Sequence, residues 1–170
     1  MLKRSDVLIF IHGNDESAGK AFRSIYEEYS KLIRFVAGKY LDVEADVDDV
    51  VIESFVALYE SRKKVRDIKY YLVTIAKNKA VNLLKKRKRE ISTESDAFEQ
   101  YASGSREYSE IVSQIYAIVG KTDGDILLAH IVEGYSLKEL ALRYEISLSA
   151  MKSRYRRSIA KLNSELEKRL

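Results

Sequence analysis

Two stretches of this chain concentrate side chains whose chemistry suits the holding of phosphate. The first closes a run over residues 69–89, K-Y-Y-L-V-T-I-A-K-N-K-A-V-N-L-L-K-K-R-K-R, which has no Gly, Pro or acid and ends in five consecutive bases. Cations at a helix C-terminus complement the macrodipole, but five in a row repel one another and exceed what capping needs. An anionic partner would turn that repulsion into attraction. The second stretch, residues 146–164, carries Lys152, Arg154, Arg156, Arg157 and Lys161 and no acid. At 100° per residue Met151, Tyr155, Ile159 and Leu162 fall on one face of a helix. Ser149, Ala150, Ser153, Arg157 and Ala160 point the other way, flanked by Lys152 and Arg156 on one side and by Arg154 and Lys161 on the other. Small outward residues let a helix sit deep in a DNA major groove, while flanking cations reach phosphates on both strands.

Hydrolytic chemistry is poorly served. Asp42, Glu44, Asp46, Asp48, Asp49 and Glu53 are dense enough to suggest a metal site. Ligands must converge, however, and only Asp49 and Glu53, four apart, plainly share a helical face. A solvated face or a basic protein partner suits them better. His12 and His130 are far apart, with no Ser or Asp spacing of a triad, and no phosphate-binding Gly loop is present. No catalytic residue, metal, cofactor or small-molecule substrate is expected.

The elements that position these residues are helices. The 170 residues include no proline and only seven glycines, with a formal charge of +4 and a pI near 9.1. Such a composition favours helix throughout and an anionic partner. No cysteine is present, which excludes disulfides and thiolate metal sites and fits a reducing cytoplasm. No apolar run approaches the roughly 20 residues of a membrane span, and the N-terminus lacks a small-residue cleavage site. The expectation is a soluble, cytoplasmic, all-α protein.

In order, Ser5 or Asp6 can cap a short helix through Ile11, which Gly13-Asn14 ends. Asp15 starts a long helix with apolar positions Phe22, Ile25, Tyr26, Tyr29, Leu32, Ile33, Val36 and Tyr40. After an acidic turn, Asp46 or Asp48 caps a helix from Val47 to about Tyr59, with Val50, Val51, Phe55, Leu58 and Tyr59 on one face. A polar loop carries Arg62, Lys63, Lys64 and Arg66. In the basic helix that follows, Leu72, Ile75, Ala76, Ala80 and Leu83 share one face, with Lys77, Asn78, Val81 and Lys85 opposite. Residues 90–109 turn Ser-rich and acidic and lose periodicity, the signature of a linker. Helices resume from Glu110 and from Asp123, closed by Gly120 and Gly134. Ser136 with Glu139 forms a capping box for a helix burying Leu137, Leu140, Ala141 and Tyr144. Glu145-Ile146-Ser147 then turns into the basic helix of residues 146–164, capped by Ser147 or Ser149, completing a helix-turn-helix.

Two helical domains, 1–89 and 110–170, are thus joined by a tether at 90–109. About 20 residues span at most about 65 Å extended, but only about 25 Å as a free coil. One to two turns of DNA measure about 34–68 Å. The tether joins sites that far apart only when held stretched, which suggests a third body organising the pair.

The order of features resembles the extracytoplasmic-function (ECF) group of bacterial RNA polymerase sigma factors over nearly the whole chain. F-R-S-I-Y-E-E-Y-S-K-L-I-R-F-V is similar to the group's first conserved region, and D-V-D-D-V-V-I-E-S-F-V-A-L-Y-E to its polymerase-binding segment. Y-L-V-T-I-A-K-N-K-A-V-N resembles the stretch of the −10 recognition domain, and the helix-turn-helix with K-S-R-x-x-R the −35-binding domain. The resemblance implies no catalysis: the chain would lend promoter specificity to core RNA polymerase and help open promoter DNA. It implies core-polymerase docking by Asp48, Asp49, Val50, Glu53, Phe55 and Val56. Contact with −10 DNA falls to Lys77, Asn78 and Asn82, with Lys85 as part of a phosphate clamp. The loop at 61–67, bearing Arg62, Lys63, Lys64 and Arg66, would capture an unstacked base. Contact with −35 DNA falls to Ser149, Ala150, Lys152, Ser153, Arg156 and Arg157, with Arg154 on their flank. An anti-sigma factor, often membrane-anchored, is an implied partner.

The chain departs from the pattern at several points. The group's buried Trp is Tyr71, its motif Gln is Ile52, and the final Asp of the −10 stretch is Asn82. K-T-D-G at 121–124 replaces a Leu-Pro. The turn Gly is Glu145, so that turn is expected to avoid a left-handed conformation. The other function compatible with these residues is a stand-alone helix-turn-helix regulator with an N-terminal sensor, binding duplex DNA without polymerase.

Overall fold

The computed structural model describes residues 2–91 and 104–168, with backbone alone at 88, 90 and 91. All regular structure among them is helical, in two compact units, Met1–Ser105 and Arg106–Leu170. Most of the tether expected at 90–109, residues 92–103, lies outside the described residues.

In the first unit α1 is Arg4–His12, α2 Asp15–Gly38, α3 Glu44–Ser61 and α4 Ile68–Ile91, with a 3-10 turn at Arg62–Lys64 between α3 and α4. Neither Ser5 nor Asp6 is the cap of α1. Lys3 takes that position, and Asp6, three residues on, accepts from the Lys3 backbone N–H at 3.3 Å. Asn14 caps α2 by accepting from the Ser17 N–H at 2.9 Å. Helix α3 starts at Glu44, earlier than expected, with Val43 in the cap position and no side-chain bond there. Asp46 and Asp48 lie inside the helix instead, where their carboxylates meet arginines of α4 and α2. The expected loop at 60–68 is shorter, because α3 runs through Ser61 and the 3-10 turn follows directly. Asp67 then caps α4, its carboxylate accepting from the Tyr70 N–H at 2.9 Å.

Ile25, Ile33, Val36, Leu58 and Leu72 are fully enclosed where α2, α3 and α4 meet. Each such side chain contributes about 1.5–3 kcal/mol by leaving water. Ala76 and Ala80, also fully buried, let α4 approach closely. Aromatic rings bind α1 and α2 to α3: Phe10 stacks on Phe22 at 5.9 Å, and Phe22 meets Tyr59 edge-on at 5.5 Å. Tyr71, at the group's Trp position, donates its hydroxyl to the Ala57 carbonyl at 3.3 Å. The first unit closes at Ser105, whose N–H donates to the Gly38 carbonyl at 2.6 Å. Gly104 beside it has φ of +62°, and a Cβ there would lie 2.8 Å from the Gly38 oxygen.

The second unit begins four residues earlier than expected, with α5 at Arg106–Val119, then α6 Lys121–Ile131, α7 Leu137–Arg143 and α8 Leu148–Glu167. Ile126, Leu140, Ala141 and Met151 form its core, with Leu137, Tyr144, Ile146 and Tyr155 packed around them. The capping box at Ser136 and Glu139 forms as expected. Of the two candidate caps of α8, Ser147 takes the role, accepting from the Ala150 N–H at 3.1 Å.

The turn between α7 and α8 overturns one expectation. Glu145 has φ of +53°, in the left-handed region the sequence was expected to avoid. The Ile146 N–H donates back to the Ala141 carbonyl at 3.0 Å and the Glu145 N–H to the Leu142 carbonyl at 3.2 Å. Those two bonds are a Schellman closure, which places the residue after the cap in the left-handed region. Packing Ile146 onto the core compensates the conformational cost at Glu145.

Candidate nucleic-acid interface

Helix α4 buries Leu72, Val73, Ala76 and Ala80 and leaves Asn78, Asn82 and Lys85 exposed. At 100° per residue those three polar side chains fall within about 60° of one another. Lys77 is half-buried and about 100° away from Asn78, so it stands beside this stripe rather than on it. Asn82 also lines a groove of about 420 Å³ between α3 and α4, with Asp46, Asp49, Glu53, Lys79 and Lys86.

The turn before α4 presents three cations, not four. Lys63, Lys64 and Arg66 are exposed, whereas Arg62 is only 8% exposed. Its guanidinium lies over the Tyr59 ring, 4.8 Å from the centroid, and donates to the Asp15 carboxylate. A cation enclosed between an aromatic face and an acid is stabilised inside the protein and not available to DNA. Arg62 is therefore removed from the −10 contacts expected of it.

The acidic residues around the start of α3 have internal uses. Arg34 of α2 pairs with Asp48 and lies 3.9 Å from Glu44, Arg87 of α4 pairs with Asp46 at 2.5 Å, and Lys79 pairs with Glu53 at 2.6 Å. These pairs fasten α3 to its neighbours, and no convergent metal-ligand cluster occurs among the described residues. They also reshape the basic run at 85–89. Arg87 turns inward to Asp46, and Arg89 donates to the Lys85 carbonyl at 3.4 Å, leaving Lys85 exposed on the outer stripe.

On α3 itself, Val50 and Phe55 are 3% and 2% exposed, inside the bundle. They shape the helix but cannot touch a docking partner, which corrects their expected role. The outward face consists of Asp49, Ile52, Glu53 and Val56, with Ile52 at 57% and Val56 at 50% exposed. The spacing could have shown this: 47, 50, 51, 54, 55 and 58 make one helical stripe, and 49, 52, 53 and 56 the opposite one. Ile52, which stands where the group's motif has Gln, is thus an exposed apolar element of this surface.

In the second unit Ser149, Ala150, Lys152, Ser153, Arg156 and Arg157 are all exposed along α8. Arg154 is not among them. Its guanidinium donates to Asp123 of α6 at 2.5 Å, and the buried Ser158 hydroxyl donates to the same carboxylate at 3.1 Å. This three-residue link ties α8 to α6 and leaves the Arg154 side chain 32% exposed. His130 bonds the Tyr135 carbonyl through Nδ1 at 2.6 Å and meets the Tyr155 ring edge-on. Nearby, the Asp125 carboxylate accepts the Tyr116 hydroxyl at 2.7 Å, and chiefly for that reason the phenol pKa is pushed up to about 12. Bonds from the Ser136 hydroxyl and backbone hold the Glu139 pKa below its usual value.

The fold just described meets a known one in its first unit. Residues 25–90 match the family model of sigma-70 region 2, from the middle of α2 to the last turn of α4. Over that stretch the chain is similar to sigma-70 region 2. The match takes in α3, the cationic turn and the outer stripe of α4, and leaves out α1 and the second unit. Among solved structures the chain is similar to CnrH, solved in complex with the cytosolic domain of CnrY. The similarity covers 98% of each chain at 22% identity with a TM-score of 0.49. No curated protein sequence matches it.

Proposed function

We propose that this chain is a sigma factor of the ECF group, which binds core RNA polymerase and directs it to promoters through −10 and −35 elements. One observation carries the proposal: the region 2 match runs to residue 90 and contains the exposed stripe Asn78, Asn82 and Lys85. In this assignment α3 docks on polymerase through Asp49, Ile52, Glu53 and Val56, with Asp48 at the edge. The outer stripe of α4 reads −10 bases, Lys77 supports it from the side, and Lys63, Lys64 and Arg66 hold the opened strand. Unstacking a base costs a few kcal/mol, which a pocket for the base and cations along its backbone offset. Helix α8 lies in the major groove of the −35 element through Ser149, Ala150, Lys152, Ser153, Arg156 and Arg157, its small residues permitting close approach. The chain supplies no catalytic step and needs no cofactor; its partners are core polymerase, promoter DNA and an anti-sigma factor. No described helix is long and apolar enough to cross a membrane, and action on polymerase and DNA places the protein in the cytoplasm.

Run-off transcription tests the proposal. Core polymerase is mixed with the purified chain and a promoter library, and new start sites sharing −10 and −35 sequences are expected only when both are present. Absence of new starts, together with tight specific shifting of duplexes by the chain alone, would favour a stand-alone regulator and overturn the sigma assignment.

A further inference from the structure

Residues 4–24 lie outside the region 2 match, yet they hold the cationic turn in place. Phe10 of α1 is fully buried against the Tyr59 ring, 6.1 Å between centroids. The Tyr59 hydroxyl donates to the backbone carbonyl of Asp15 at 3.4 Å. Arg62, the first residue of the turn, is enclosed between these groups. It donates through one guanidinium nitrogen to the Tyr59 carbonyl at 3.4 Å and through the other to the Asp15 carboxylate. Residues 47 positions apart are thereby joined, and the bond runs from the first turn of α2 to the segment that presents Lys63, Lys64 and Arg66.

We infer that Asp15 is a positioning residue for promoter opening: it fixes Arg62, and Arg62 fixes the turn that receives the unstacked strand. This rests on the function proposed above for what the turn does, while the contact itself stands on the geometry. A turn whose first residue is anchored presents its cations in one arrangement before DNA arrives, and preorganisation of that kind lowers the ordering cost of binding. Arg62 thus serves strand capture without touching nucleic acid. The Asp15 side chain is largely exposed, so its replacement removes the anchor without opening the core.

Two readouts test this on the full chain. In the first, trypsin cleavage after Lys63 and Lys64 is timed for wild type, Asp15→Ala and Asp15→Glu, with circular dichroism confirming equal helix content. Asp15→Ala is expected to speed cleavage there about tenfold by freeing the turn, and Asp15→Glu to restore most of the protection. In the second, holoenzyme formed with each variant is assayed on a duplex promoter and on the same promoter with a pre-opened bubble. Asp15→Ala is expected to lower open-complex formation on the duplex about five- to tenfold, but less than about twofold on the bubble, where unstacking has been done in advance. Unchanged cleavage after Lys63 and Lys64 would overturn the anchoring contact. Faster cleavage with wild-type opening of the duplex, or equal losses on duplex and bubble, would overturn the positioning role. Wild-type holoenzyme that starts at no promoter would instead sink the sigma assignment and the opening role with it, leaving the trypsin result to report on the contact alone.

Discussion

A side chain bearing a Cβ enters the left-handed region at a cost of about 1–2 kcal/mol, and Glu145 does so with φ of +53°. Glu145 is also exposed, so its side chain brings little packing in return. Glu145→Gly is therefore expected to raise the stability of the second unit by up to about 1 kcal/mol, after the added freedom of glycine in the unfolded chain is subtracted. Urea unfolding checks this, and a loss of stability would show that the side chain has a partner elsewhere. Tyr116 gives a pH prediction at the same scale. Its phenol pKa is raised from 10.0 to about 12 in the folded protein, first by the bond to Asp125 and then by burial. The folded state thus holds this proton more tightly than the unfolded one, so the stabilisation is complete below pH 10 and disappears as the pH rises through about 12. Tyr116→Phe is expected to lower stability at neutral pH and to flatten its decline between pH 10 and 12, read by chemical denaturation across that range.

Among the elements, α3 and α4 show which features could be read in the sequence and which could not. The apolar stripes of both helices, the capping box at Ser136 and the two-unit division all follow from periodicity and cap residues, which are local signals. The pairings of Arg62 and Arg154 are invisible locally because their partners, Asp15 and Asp123, are 47 and 31 residues away. A helical period reports the face a residue occupies, not the acid that waits opposite on another helix. Asp46 and Asp48 fit the cap position in sequence for the same reason, since a carboxylate near a helix start serves equally well as a cap or as a cross-helix ion pair. Glu53 now has both an internal partner and a proposed external one. Its pair with Lys79 is largely exposed and worth about 0.2–1 kcal/mol. Glu53→Lys should accordingly leave the chain folded while weakening its binding to core polymerase. The double exchange Glu53→Lys with Lys79→Glu should recover the small stability loss but not the affinity. Fluorescence anisotropy of the labelled chain with core enzyme measures this, and affinity restored by the double exchange would mean that Glu53 acts only through Lys79.

At the scale of the whole molecule, the two units have separate cores and are expected to unfold separately. Met151 is fully buried at the centre of the second unit, against Ile126 and Leu140. Met151→Ala should cost about 2–5 kcal/mol there and lower one thermal transition while leaving the other in place, as calorimetry would show. A single transition shifted as a whole would mean that the units are coupled. Asp46, Asp48 and Glu53 of α3 pair with Arg87, Arg34 and Lys79, while Lys63, Lys64 and Arg66 of the turn, Lys85 of α4 and Lys152, Arg156 and Arg157 of α8 are exposed. Tyr71 adds an optical consequence. The chain has twelve tyrosines and no tryptophan, and Tyr71 sits half-buried between α3 and α4, its hydroxyl on Ala57. An indole introduced at that position would be the one fluorophore in the molecule emitting at longer wavelength than tyrosine, with the second unit dark there. Light from a single address would then follow what happens between α3 and α4, and a shift of its emission maximum would mark the moment water enters or leaves that seam.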